Sequence, residues 1–148
     1  MALEIRNKKA EYQYFLLESY TAGLLLTGTE IKSIRAGKAS IMEAFCRFRG
    51  DELFVINMYI AEYEQGSYNN HEPRRERKLL LQRSELNKLK KKMKDVGVTV
   101  IPTLLFISEK GYAKLNIAIA KGKKVHDKRD SLKEKEQKRD LDRVGKVR

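Results

Sequence analysis

The stretch VTVIPTLLFISEKGYAKLNIAI, residues 98–119, decides the fold class. From Tyr112 to Ile119, the residues Ala113, Leu115, Ile117 and Ile119 alternate with Tyr112, Lys114, Asn116 and Ala118. A period of two puts the two sets on opposite faces of a strand, so Lys114 points away from the apolar side. Val98 to Ile107 is a second strand, joined to the first through Glu109-Lys110-Gly111. Two such runs around a glycine turn predict an antiparallel hairpin. Pro102 brings no backbone donor, so its strand needs an edge or a bulge there.

The same alternation recurs upstream. Glu43 to Arg49 sets Ala44, Cys46 and Phe48 against Phe45, Arg47 and Arg49, and Gly50-Asp51 turns the chain into a run from Leu53 to Tyr63. Residues 11–27 are apolar and β-prone, interrupted by Thr21-Ala22-Gly23, and fit two strands or one bent strand. Thr29 to Ala36 fits a short helix capped by Thr29 and ended by Gly37, with Ile31 and Ile34 on one face. A clearer helix runs from Ser84 to Val96, where Leu86, Leu89, Met93 and Val96 recur at helical spacing between a Ser84 cap and Gly97. Its lysines, Lys88, Lys90, Lys91, Lys92 and Lys94, are ordinarily a solvated face. Residues 64–78, polar and containing Gly66 and Pro73, read as a long loop. Five or six antiparallel runs with one helix before the last pair predict a mostly β fold, a small closed or partly closed barrel, with an OB-type barrel among the candidates.

The chain of 148 residues suits one domain. Lys and Arg outnumber Asp and Glu by 32 to 20, a net charge of +12 that attracts polyanions. Half of that excess lies in residues 121–148, which hold twelve Lys or Arg against six Asp or Glu. The only aliphatic side chains larger than Ala there are Val125, Leu132, Leu141, Val144 and Val147. So little apolar surface does not offset ordering entropy, and a barrel over residues 1–120 with a basic tail over 121–148, disordered when free, is expected. No apolar run approaches the roughly 18 residues a membrane span needs. Met1 to Arg6 lacks the apolar stretch of a secretory signal. Cys46, the single cysteine, forms no internal disulfide and reads as a small buried strand residue, in keeping with a cytoplasmic location.

Catalytic patterns are not found in the sequence. His71, His126 and Cys46 do not have zinc-ligand spacing, and there is no phosphate-binding glycine loop or nucleophile elbow. No enzyme activity, cofactor or metal is expected. What remains is basic. Arg74, Arg75, Arg77 and Lys78 lie within five residues, after Asn69, Asn70 and His71 and downstream of Tyr63 and Tyr68. Cations beside planar groups suit structured or single-stranded RNA. A second cluster, Lys121-Gly122-Lys123-Lys124, stands at the head of the tail. At 100° per residue, a helical tail would place Lys121, Lys124, Lys128, Lys135, Arg139, Arg143 and Lys146 on one stripe about 100° wide, broken by Leu132 and Asp142. Such a stripe suits an RNA-lined groove, where cations displace counterions from phosphates.

At these segments the chain resembles the small protein B family, the tmRNA-binding partner in ribosome rescue. The matching pieces are Asn7-Lys8-Lys9-Ala10, residues 28–38 from Gly28 to Lys38, Asn70-His71-Glu72-Pro73, Arg77-Lys78-Leu79-Leu80-Leu81 and residues 120–129 from Ala120 to Arg129. They run in the family's order over almost the whole chain. The resemblance implies an OB-like antiparallel barrel with about three helices, acting as a monomer that grips the tRNA-like domain of tmRNA. It implies a tail that enters the empty mRNA channel of a stalled 70S ribosome, so that the nascent chain is tagged and the ribosome freed. Alanyl-tRNA synthetase and elongation factor Tu are implied associates through tmRNA. Carried over by position, the tmRNA face comprises Asn7, Glu30, Lys32, Arg77, Lys78, Leu80 and Lys114. Glu30 would accept hydrogen bonds from nucleotide edges or orient nearby cations. The junction and tail contribute Lys121, Lys123, Lys124, His126, Asp127, Lys128, Arg129, Lys135, Arg139 and Arg143, with the His126 ring placed to stack in the 16S rRNA decoding centre. The chain departs from the family at Thr21, where a Glu is common, and at Gln82, where His or Asn is usual.

Two other classes fit the charge. A ribosomal protein with a basic extension would carry rRNA rather than tmRNA. A metal-dependent RNA-processing enzyme would show magnesium-dependent cleavage.

Overall fold

The computed structural model describes residues 3–64 and 70–122. Strand β8 (Val98–Ile107) and strand β9 (Ala113–Gly122) form the expected antiparallel hairpin, in register from Val98 opposite Lys121 to Ile107 opposite Ala113. Gly111 makes the turn at a φ of 89°, a value that disfavours any residue with a Cβ. Pro102 is accommodated by a bulge between Pro102 and Leu104 rather than by an edge. Asn7 takes up the carbonyls this bulge frees: its backbone N–H donates to Thr103 O at 2.9 Å and its Nδ2 to Pro102 O at 2.9 Å.

The β8–β9 pair is closed into a ring by four more strands: β2 (Tyr14–Leu24), β4 (Phe45–Arg49), β5 (Glu52–Ile56) and β7 (Arg77–Leu80). The order β8-β4-β5-β7-β2-β9 returns to β8, and β1 (Glu4–Arg6) lies antiparallel along β8 beside β4. The result is the OB-like antiparallel barrel, with three helices around it: α1 (Ala10–Gln13), α2 (Gly28–Arg35) and α3 (Arg83–Lys92). A separate short ladder joins β3 (Ala39–Ser40) to β6 (Tyr59–Ile60). The interior is filled by the inward phase of the strands, including Leu53, Val55, Leu79, Val100, Leu105, Leu115, Ile117 and Ile119, with Ile34 from α2 and Leu89 from α3. Burying each such side chain contributes about 1.5–3 kcal/mol relative to exposure.

Several boundaries differ from the sequence reading. Thr21-Ala22-Gly23 does not interrupt its strand; β2 is continuous, with Thr21, Ala22 and Gly23 opposite Asn116, Leu115 and Lys114. Its irregularity is a bulge between Leu16 and Glu18, and residues 11–13 belong to α1 instead of strand. The run after Gly50 stops at Ile56, because Asn57 takes a φ of 62° and sends the chain into β6. Asn is among the few residues that tolerate that conformation. Helix α2 is capped two residues earlier than expected, by Thr27. Thr27 Oγ1 accepts from Glu30 N at 3.4 Å while Glu30 Oε1 accepts from Thr27 N at 2.9 Å, a reciprocal capping box. Helix α3 begins after Gln82 rather than Ser84 and stops at Lys92, so Val96 leaves the apolar stripe and is 95% exposed. Strand β9 runs to Gly122, so Lys121 belongs to the barrel.

Candidate nucleic-acid interface

Strand alternation sorts the basic residues. On β7, Arg77 and Leu79 point inward while Lys78 and Leu80 point out; on β9, Lys114 lies on the outer face between buried Ala113 and Leu115. Pairing aligns them across the wall. Gly23 of β2 lies opposite Leu80 on one side and Lys114 on the other, and Lys78 lies opposite Phe54 of β5. Gly23 serves a close approach: a Cβ there would stand 3.3 Å from Leu80 Cβ. Leu80 itself stays 47% exposed, an apolar spot flanked by cations. Lys78 reaches Glu52 at 3.4 Å, whereas Lys114 makes no ion pair among the described residues. Further round, Arg47 and Arg49 share Glu76, and the Arg49 guanidinium lies 5.3 Å from the centre of the Phe54 ring. Sequence reasoning put Arg47 and Arg49 on the strand face opposite Ala44, Cys46 and Phe48 without assigning them to the site; the alternation of β4 was the available signal.

Glu30 and Arg77 lie inside the wall rather than on its outer face. Both were expected on the RNA face, and both side chains are fully buried. Arg77 Nε meets Glu30 Oε2 at 2.5 Å, its Nη1 donates to Met58 O at 2.6 Å and its Nη2 to Pro73 O at 3.0 Å. Arg75 closes on the same carboxylate, Nη2 to Oε1 at 2.6 Å and Nε to Oε2 at 3.3 Å, with its side chain 39% exposed. Burial alone raises the Glu30 carboxyl. Hydrogen bonds from Arg75, the Thr27 amide and Arg77 outweigh that and hold it below its ordinary range. The carboxylate accepts from both guanidinium groups and so fixes Arg75 and Arg77 relative to α2. The burial was legible in principle: Glu30, Ser33 and Ile34 share one helix face, and Arg77 shares its strand phase with Leu79.

The same corner of the fold is fastened by His71, 7% exposed. Its Nε2 lies 2.9 Å from Ile60 O, which only accepts, so Nε2 carries the proton. Nδ1, 2.9 Å from Thr29 Oγ1, then accepts from that hydroxyl. Asn7 is also tied down, 8% exposed, its amide engaged with the β8 bulge and its Oδ1 accepting from Lys9 N at 3.2 Å. Lys32 does reach the surface, where its Nζ lies 5.4 Å from the Tyr63 ring centre, and Arg74 lies 5.3 Å from that of Tyr59. Lys121 pairs in register with Phe15 and Val98. Lys123, Lys124, His126, Asp127, Lys128, Arg129, Lys135, Arg139 and Arg143 fall outside the described residues.

Cys46 is buried, and burial pushes its thiol up, away from the reactive thiolate. Among the described residues no group of His, Cys, Asp and Glu could hold a metal ion, and no helix is long and apolar enough to cross a membrane. An OB-like barrel whose outer wall carries fixed cations beside half-exposed rings and Leu80 is a nucleic-acid-binding type of surface. The family model described as SmpB protein matches residues 4–147, and the chain belongs to that family. An SsrA-binding protein of Bacteroides thetaiotaomicron is 58% identical over 145 residues, covering 98% of this chain and 97% of that protein. One from Agrobacterium fabrum is 48% identical over 138 residues, covering 93% and 86%. A chain of a solved structure described as "tmRNA-SmpB: a journey to the center of the bacterial ribosome" superposes with a TM-score of 0.70 at 47% identity, covering 82% of this chain and 85% of that one.

Proposed function

We propose that this chain binds SsrA RNA, or tmRNA, through the outer wall of the barrel and acts with it in trans-translation on stalled ribosomes. The observation that carries the reading is the row Lys78, Leu80 and Lys114 around Gly23: outward cations on a rigid sheet, with an apolar spot between them. Rigid strands hold such groups at fixed spacing, which suits a folded RNA surface of defined shape. The tRNA-like domain of tmRNA is the part engaged. Lys32 extends the contact from α2, while Asn7, Glu30 and Arg77 hold the elements that present it. The chain works by binding, in the cytoplasm, as a monomer.

Residues 121–148 carry half the net charge, and their cation stripe supports a second role. The tail enters the empty mRNA channel and becomes helical there, with His126 at the 16S rRNA decoding centre and Lys128, Lys135, Arg139 and Arg143 towards rRNA. Alanyl-tRNA synthetase and elongation factor Tu meet the chain through tmRNA. Sequencing the RNA that co-purifies with the tagged protein tests the first part: tmRNA is the expected species, and rRNA alone would overturn it. Deleting residues 131–148 tests the second, and should spare tmRNA affinity while abolishing peptide tagging. Loss of affinity in that truncation would contradict this division of labour.

A further inference from the structure

Beside the Asn7 turn the barrel wall opens into a cleft of about 480 Å³, within the size range of small-ligand sites. Two bulges shape it. That of β2, between Leu16 and Glu18, and that of β8, between Pro102 and Leu104, flank β9 over residues 116–120 on its opposite edges. Bulges bend their strands and re-aim side chains. The end of β1 and the start of α1 supply the rim. We propose that this cleft holds one unstacked nucleotide of the bound RNA, an inference that rests on the RNA-binding reading above.

The lining has the three components a nucleotide needs. Leu16 and Leu104 offer apolar surface for a base or ribose face. Asn116 offers donors: its Oδ1 accepts from Thr21 Oγ1 at 2.8 Å, and its amide NH2 makes no hydrogen bond among the described residues. The Ser19 hydroxyl lines the same space and is likewise unengaged among the described residues. Arg6 and Lys8 stand at the rim; Arg6 makes only an exposed 3.3 Å contact with Glu4, and Lys8 no ion pair among the described residues. Cations at the mouth over a polar-and-apolar floor match phosphate outside and base inside. The position fits too. Asn116 is two residues from Lys114 on the same outward phase of β9, about 7 Å away along the strand, or roughly one nucleotide step. Single-stranded segments of folded RNA provide bases that splay out in this way.

The test uses the full chain and a transcript of the tRNA-like domain of tmRNA, reading affinity together with 2′-hydroxyl acylation of each nucleotide. Asn116→Asp keeps the acceptor for Thr21 but removes the donors, and Ser19→Leu fills the space. Asn87→Asp, on the exposed face of α3, makes the same charge change elsewhere. Loss of one held base corresponds to roughly a tenfold fall in affinity. Asn116→Asp and Ser19→Leu should each show it and should restore reactivity at one or two adjacent nucleotides, with the remaining protection unchanged. Asn87→Asp should behave as wild type. If Ser19→Leu does not fold, as read by its thermal melt, Asn116→Asp carries the test alone. Wild-type affinity and protection in folded Asn116→Asp would overturn the cleft inference and leave the RNA reading intact. A wild-type chain that does not retain the transcript would overturn both.

Discussion

Arg77 and Lys78 are neighbours with the same charge, and the barrel uses them in opposite ways. Arg77 is sealed inside, its guanidinium shared between Glu30 and backbone carbonyls, whereas Lys78 stands on the outer wall in line with Phe54. The inner cluster of Glu30, Arg75 and Arg77 joins α2, the segment after His71 and β7 into one rigid unit. The outer row of Lys78, Leu80 and Lys114 is presented by that unit to whatever lies outside. Strand phase separates a cation that maintains the scaffold from one that can meet a phosphate. Sequence proximity says nothing about which is which.

The largest expected effect follows from breaking the inner cluster. Arg77→Met leaves Glu30 with the half-exposed Arg75 as its remaining cation beside the Thr27 amide, and removing one partner of a buried pair costs about 3–5 kcal/mol. Urea denaturation should show that loss, and a change below about 1 kcal/mol would mean the pair is not what holds α2 to β7. The double variant Lys78→Glu with Lys114→Glu breaks the outer row instead. Its stability should stay within about 0.5 kcal/mol of wild type, while tmRNA affinity falls. If each lysine neutralises one phosphate, the salt slope should flatten by roughly 1.4–1.8 for the pair. Equal stability loss in the two variants would erase the distinction between regions.

Acid titration sharpens the same contrast. The Glu30 carboxyl lies below its ordinary value of 4.5, so the stability it contributes is fully present above that value. That contribution is lost as pH falls through the lower folded-state value. The stability difference between wild type and Glu30→Gln should therefore be constant from pH 7 to about 5 and shrink below 4.5. Denaturation at pH 7, 4 and 3 measures it, and a difference that grows on acidification would contradict the sign. The smallest effect concerns Gly23. Adding a methyl group there presses on Leu80, and Gly23→Ala should change stability by less than about 1 kcal/mol. It should lower RNA affinity several-fold by displacing Leu80. Unchanged affinity would remove Leu80 from the contact.

Where a local rule acted alone, the sequence was readable. The β8–β9 hairpin, the outward Lys114, the β4–β5 turn at Gly50 and the need for a bulge or edge at Pro102 all follow from alternation and the missing proline donor. The errors lie where tertiary partners decide. Thr29 has good cap chemistry but is engaged by His71, and Thr27 caps in its place because Glu30 reaches back to it. Thr21-Ala22-Gly23 looks like a break, yet strands on both sides keep β2 continuous through it. Arg77 was placed on the RNA face because charge was weighed above phase, and the Glu30 carboxylate together with the Met58 and Pro73 carbonyls makes an interior arginine tolerable. Asn116 and Ser19 gave no signal, since the cleft they line is created by two bulges that no local pattern marks.

The most direct measurement is a titration of the tRNA-like domain of tmRNA, at physiological salt, with wild type and Lys114→Glu, alongside thermal melts of both proteins. The expected result is a fall of about tenfold or more in affinity, through loss of a cation and gain of an anion on the wall, with an unchanged melting temperature. Wild-type affinity in a fully folded Lys114→Glu protein would contradict the assignment of the outer wall as the RNA-binding surface.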